Sequence, residues 1–139
     1  MRSDVVDVAR RWIGTPYQHQ ASCEGAGADC LGLVRGIWRE VCGAEPAVAP
    51  AYTPDWSEAS KDERLLEALE SYFYPVNGEA QLGDVLVFRL RAVAKHLAVV
   101  SAHGNIIHAY SGRGVVETPL SPAWERRIAG VFRFPDRSI

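Results

Sequence analysis

The stretch Gly27-Ala28-Asp29-Cys30-Leu31-Gly32-Leu33-Val34-Arg35-Gly36-Ile37-Trp38 sets the reading of the whole 139-residue chain. Gly27 breaks the segment before it, and Asp29 is a favoured N-cap whose carboxylate can accept from the exposed N–H groups of the next turn. Leu33, Val34, Ile37, Trp38 and Val41 then recur at helical spacing until Gly43 offers a stop. Cys30 therefore falls on the first turn of a mostly buried helix, where the dipole and unpaired N–H groups favour thiolate over thiol. Gly32 and Gly36, four apart, leave a smooth stripe on which another element can pack closely. A cysteine placed this way is either a small packed side chain or a nucleophile, and partners elsewhere decide which.

Toward the N-terminus, Ser3 is expected to cap a first helix. Its apolar stripe is Val5, Val8, Trp12 and Ile13, with aspartates in the first turn and arginines in the last. Gly14-Thr15-Pro16-Tyr17 ends it and opens a long loop, without regular periodicity, that runs to Asp29. Loops of that length in compact domains are usually functional or disordered, and this one leads directly into the cysteine. Beyond the central helix, residues 44–57 read as an Ala- and Pro-rich surface crossover containing Tyr52 and Trp56. Ser60-Lys61-Asp62-Glu63 is a capping-box pattern, and Leu65, Leu66, Leu69, Tyr72 and Phe73 give a third, amphipathic helix that stops before Pro75.

After Asn77-Gly78 the period changes. Strands are expected at residues 85–88, 96–101, 105–110, 115–118 and 128–134, with a short turn or helix around Trp124. Helices first and antiparallel strands afterwards predict an α+β fold, with N-terminal helices packed on a small curved antiparallel sheet of about five strands. The chain is expected to form one domain, residues 1–139, large enough to bury about two-thirds of its unfolded surface without staples.

Composition excludes several classes. A net charge of −2 without a basic cluster argues against nucleic acid as the main partner. Cys23, Cys30 and Cys42 are odd in number and do not form a disulfide framework. His19, Cys23 and Cys30 lack a fourth ligand and a regular spacing, so neither a metal nor another cofactor is expected. No apolar run approaches membrane-spanning length, and Ser3-Asp4 after a single arginine does not read as a signal peptide. Synthesis in the cytoplasm without such a signal, and no membrane partner, are the expectations.

A thiolate nucleophile needs a base within hydrogen-bond reach and a third group to orient it. The strand half supplies His96 and His108, each set in apolar sequence. Taken singly, each reads as a satisfied core or edge histidine; together with Cys30 they read as a site. Ser101-Ala102-His103-Gly104-Asn105 connects their strands. A three-residue loop of Ala102, His103 and Gly104 would pair Ser101 with Asn105, Ala98 with His108 and His96 with Tyr110. That register puts both imidazoles on one face, whereas a two-residue loop would slip it by one and separate them.

Gly14-Thr15-Pro16-Tyr17, Asp29-Cys30-x-Gly32-Leu33-Val34, Leu82-Gly83-Asp84-Val85-Leu86-Val87-Phe88, His96-Leu97-Ala98-Val99-Val100 and Ile107-His108-Ala109 resemble, in order and spacing, the NlpC-type cysteine peptidases. The resemblance covers residues from about 3 to 118. It implies a papain-like fold and cleavage of bacterial cell-wall stem peptides, with the bond between D-glutamate and meso-diaminopimelate the expected target. It further implies Cys30 as nucleophile, His96 as base, His108 as the polar third member and Tyr17 beside the nucleophile. An oxyanion hole would draw on the Cys30 N–H, and Asp29 would be both cap and substrate-site wall. Members usually have serine after the cysteine; Leu31 stands here and cannot accept from a free amine, so intact wall is expected to be favoured over short free-amine peptides.

The short form looks most like enzymes carried by phage tails and gene-transfer particles. Tail-hub or baseplate proteins are thus the expected partners, and a virion or particle tail acting on the periplasmic wall the expected location. The same fold could also serve an N-acetylmuramoyl-L-alanine amidase or a structural tail module of negligible turnover. His19 and Cys23 read as loop residues, Cys42 as packing at a helix end, and His103 as a turn residue.

Overall fold

The computed structural model describes residues 1–46, 64–91 and 93–136. The first helix, α1 (Ser3–Trp12), buries Val5, Val8, Ala9 and Trp12, with Asp4 in its first turn and Arg10 and Arg11 in its last. Ser3 is not its cap. Arg2 occupies the N-cap without a side-chain capping bond, because its side chain holds Asp4 and the carbonyls of Phe134 and Pro135. The chain entry is fixed by the backbone, where Arg2 N–H donates to Leu82 C=O at 2.9 Å. Ile13, expected in the apolar stripe, lies past the helix end and is exposed.

The loop that follows contains a two-strand hairpin, β1 (Ser22–Cys23) and β2 (Gly27–Ala28), which the lack of periodicity did not predict. Two-residue strands are too short to show alternation, and their pairing is local. The central helix α2 (Cys30–Val41) starts where the capping argument placed it, with Gly32 N–H donating to Asp29 Oδ1 at 2.7 Å. The third helix, α3 (Arg64–Tyr72), buries Leu65 and Leu69. The expected capping box at residues 60–63 and most of the crossover, with Tyr52 and Trp56, lie outside the described residues.

The sheet has six strands, in the order β3 (Tyr74–Pro75), β8 (Ile128–Arg133), β4 (Val85–Leu90), β5 (Val93–Ala102), β6 (Asn105–Tyr110), β7 (Gly114–Pro119), all antiparallel. The five expected strands are present, and the short β3 is the addition. A single-turn helix, α4 (Pro122–Glu125), capped by Ser121, sits around Trp124. Among the described residues no helix is long and apolar enough to cross a membrane.

Alternation along the strands builds two cores. Val85, Val87, Leu97, Val99, Ile107 and Ala109 face the helices, packing with Val5, Trp12, Leu33, Ile37 and Leu69. Leu86, Phe88, Ala98, Val100 and Ile106 face the other way and are covered by Leu82, Leu120, Trp124, Ile128 and Val131. Val85, Leu86, Val87 and Phe88 are all buried, alternately on the two faces, which is why they form a continuous apolar run.

The small-residue stripe of α2 is used as its spacing suggests. A Cβ on Gly36 would overlap the Trp12 indole, and one on Gly32 would overlap the Ala21 carbonyl. Gly32→Ala is expected to destabilise the fold by about 1–3 kcal/mol, since the clash is with backbone that cannot swing away. The better helix propensity of alanine offsets about 1 kcal/mol of this. A denaturant midpoint equal to or above wild type would contradict the close approach.

Candidate active site

Asp29 opens the site. One oxygen caps α2; the other accepts from Gln20 N–H at 2.7 Å, and His19 Nδ1 lies 3.8 Å from it. At 3% exposure Asp29 is cap and loop clamp. Two backbone donors hold the carboxylate inside the loop, and the duty as a substrate-site wall stays an expectation. Tyr17 bridges to Ala28 and packs on the helix-side core. Burial raises its hydroxyl pKa, and so do the nearby Cys30 and Asp29.

The His96–His108 register rests on a device the sequence reading missed. The hairpin closes with a two-residue turn, His103-Gly104, with Ala102 opposite Asn105 and Gly104 in the left-handed region at φ 79°. By itself that turn would separate the histidines. Ser101 is bulged out of the ladder, however, and the extra residue restores Val100 opposite Ile106 and Val99 opposite Ile107. The three-residue loop is thus corrected, while the register it was meant to produce is kept. Long-range bonds hold the bulge: Ser101 Oγ donates to Glu117 Oε2 at 2.7 Å, and Arg10 donates to Ser101 C=O at 3.1 Å and to Glu117 at 2.7 Å.

His96 and His108 consequently share one face, with Nε2 of the first 2.8 Å from Nδ1 of the second. His108 Nε2 lies 3.0 Å from Thr118 Oγ1. This relay can run in two directions. Only the one in which His96 Nε2–H donates to His108, and His108 Nε2–H to Thr118, leaves His96 Nδ1 as a base. Trp124 stacks on His96 with ring centroids 5.2 Å apart, while Phe88 and Tyr110 pack on it at 5.9 and 6.3 Å. Thr118 and Trp124 were absent from the expected site. Thr118 pairs with Ile106, two residues before His108 on the same face, so register could have found it. Nothing local marks Trp124 as a lid on an imidazole.

The cysteine approaches from the helix side. The β5–β6 register ends at Val99 opposite Ile107. Beyond that pair the Cys30 sulfur meets the backbone of β5: Leu97 N–H points at it, and Lys95 C=O is 3.9 Å away. Those two groups belong to the peptide units flanking His96. Lys95 is itself a bulge, unpaired between His96 opposite Phe88 and Ala94 opposite Arg89. Leu31, the next residue, packs half-buried against the helix-side core. Cys23 is exposed in β1, buried Cys42 bonds Pro135 C=O at 3.3 Å, and His103 sits exposed in its turn.

Electrostatics correct one expectation. The N–H groups of Leu97, Leu31 and Cys30 do favour the thiolate, but burial outweighs them and the Asp29 carboxylate adds to it, pushing the thiol up to about 12. Part of Cys30 reaches the surface, yet its sulfur is enclosed. Burial likewise pushes His96 down to about 3, helped by His108, and His108 down to about 4, helped by Arg113. At rest the thiol and both imidazoles are neutral, so charge must form when substrate arrives.

A stability profile follows. The imidazoles protonate near 6.5 when unfolded, so below that pH the unfolded chain takes up protons that the folded chain refuses. The thiol ionises near 9 when unfolded but only near 12 when folded, so stability is also lost as pH rises above about 9. Urea midpoints should plateau between about pH 6.5 and 9 and fall on both sides. A midpoint still rising from pH 6.5 down to 4.5 would refute the buried neutral pair.

The sequence model of the NlpC/P60 family matches residues 14–133, and the chain belongs to that family. It is 24% identical over 139 residues to the murein DD-endopeptidase MepS/murein LD-carboxypeptidase of Escherichia coli K12, covering 99% of this chain and 65% of that protein. It is 27% identical over 138 residues to the γ-DL-glutamyl hydrolase of Bacillus subtilis 168, covering 97% of this chain and 30% of that protein. The chain thus spans less than two-thirds of either relative. The crystal structure of the NlpC/p60 domain of the peptidoglycan hydrolase SagA superposes with a TM-score of 0.68 at 22% identity, covering 96% of this chain and 99% of that one.

Proposed function

We propose that this domain is a cysteine peptidase that hydrolyses an amide in peptidoglycan stem peptides. The observation that carries the reading is the Thr118–His108–His96 relay, closed by Trp124, with a helix-start thiol set against the peptide groups that flank His96. Substrate binding excludes water and brings a carbonyl to Cys30. His96 Nδ1 takes the thiol proton as sulfur attacks, and the imidazolium is stabilised through His108. The N–H of Cys30, at the open end of α2, is the donor we assign to the oxyanion. Collapse expels the amine with the proton from His96. Water, activated by the same nitrogen, then hydrolyses the thioester.

The bond we assign is γ-D-glutamyl–meso-diaminopimelate. The B. subtilis relative is named a γ-DL-glutamyl hydrolase, whereas the E. coli relative is named for a DD-endopeptidase and an LD-carboxypeptidase. Mass spectrometry of muropeptides digested by the purified protein distinguishes these. New glutamyl and diaminopimelyl termini support our assignment, D-alanyl products support the DD or LD bond, and freed lactyl-muramate supports an amidase. No product at all supports a structural module. Delivery by a phage-like tail, bound through hub or baseplate proteins, is the carrier we infer from the resemblance carried by residues 29–35. Proteomics of purified particles lacking this chain despite its expression would remove that setting.

A further inference from the structure

The β6–β7 turn forms the lip of the site next to the imidazoles. Tyr110, at its start, is 42% exposed, and its ring packs on His108 at 5.7 Å and on His96 at 6.3 Å. Arg113 N–H donates to Tyr110 C=O at 2.9 Å, which makes the turn tight. Val115 N–H donates to Thr15 C=O and Gly14 N–H to Val115 C=O, both at 2.9 Å, so the lip is bolted to the segment leading to Tyr17. Arg113 is exposed on it.

Six of the described arginines are already engaged with carboxylates. Arg2, Arg10, Arg11, Arg35, Arg39 and Arg133 each hold a carboxylate, on Asp4, Glu117, Glu24 and Glu40, Glu45, Glu45 and Asp84 respectively. The Arg113 guanidinium makes no hydrogen bond or ion pair with any described residue, yet its charge is felt at His108. The one carboxylate beside the thiol, Asp29, is closed off by its backbone donors. An arriving anion would meet, on a turn whose backbone is tied to the segment before Tyr17, a cation that no described carboxylate neutralises. A guanidinium presents two parallel N–H donors that match a carboxylate.

We propose that Arg113 is a specificity residue that binds a free carboxylate next to the scissile amide, so that the enzyme selects acidic stem peptides over their amidated forms. This inference rests on the stem-peptide reading of the same site. A γ-linked glutamyl residue keeps its α-carboxylate beside the bond to be cut, and amidation to isoglutamine removes that charge while leaving the bond intact. Tyr110 supplies the flat apolar surface against which the peptide lies while the carboxylate reaches Arg113.

The test compares two N-acetylated tripeptides, L-Ala-γ-D-Glu-diaminopimelate and its isoglutamine counterpart. Wild type should favour the acid by about 10- to 100-fold in kcat/KM, the range of one charge-assisted contact, with the difference in KM. Arg113→Ala should bring the ratio close to one, Arg113→Lys should retain part of it, and Arg113→Glu should favour the amide. The wild-type ratio should also shrink as salt rises to about 1 M. Equal use of both peptides by wild type, or an unchanged ratio in Arg113→Ala, would overturn the proposal. Calorimetric binding of both peptides to Cys30→Ala makes the same comparison without turnover. A protein that binds the acid selectively but cleaves neither peptide refutes the peptidase reading and keeps Arg113. One that binds neither refutes the Arg113 proposal.

Discussion

Cys30→Ala should lower muropeptide hydrolysis by about 10⁴-fold or more while leaving unfolding free energy within about 2 kcal/mol of wild type. The two readouts separate because the substitution removes a single heavy atom, the sulfur. It lies in the space beyond the last β5–β6 pair, against the peptide groups flanking His96, and no strand pairing depends on it. Cys30→Ser should be nearly as inactive. A hydroxyl is a far weaker acid than a thiol already held up to about 12, and a neutral imidazole cannot readily deprotonate it. The measurement is product formation from sacculi, paired with a urea titration. Wild-type turnover in Cys30→Ala would end the nucleophile assignment, and a collapsed midpoint would return the cysteine to a packing role.

The histidine series should be graded. His96→Ala should cost about 10⁴-fold, at the upper end for a general base, because the buried thiol depends on that imidazole to lose its proton. His108→Ala should cost about a hundredfold, since His96 then loses the partner that fixes its tautomer. His108→Asn should cost only about tenfold. The asparagine Oδ1 stands where Nδ1 stood, two bonds from Cβ, and can accept from His96 Nε2–H. A glutamine oxygen falls nearer the Nε2 position, so His108→Gln should lie between Asn and Ala. kcat/KM on one muropeptide substrate gives the order. If Gln outperforms Asn, or if His108→Ala matches wild type, the 2.8 Å contact does not orient the base.

These two series test a site whose parts were unequally legible. The start of α2 could be read from sequence because capping is local: Asp29 and Gly32 are three residues apart and one hydrogen bond joins them. The close-packing stripe of Gly32 and Gly36 was legible for the same reason, since a helix repeats its faces every few residues whatever lies opposite. The strands of the second half were visible through alternation. With them came the common face of His96, His108 and Tyr110, because period-two geometry needs only a register. The ordered motifs pointed to the NlpC/P60 family, and residues 14–133 match it.

What sequence alone determined is therefore the short-range part: helix starts, faces of strands, and which chemistry-bearing residues stand on them. The tertiary structure decided how those pieces meet. The histidine register depends on a bulge at Ser101 held by Arg10, 91 residues away, and by Glu117, 16 residues away, and no local pattern announces either bond. The ionisation of Cys30 was misjudged because the helix start acts through neighbouring N–H groups, whereas burial depends on everything the fold packs around the sulfur. Trp124 covers His96, and Thr118 ends the relay, for the same reason. Short-range hydrogen bonding and periodicity are written along the chain, but desolvation and long-range pairing exist only once the chain has closed on itself.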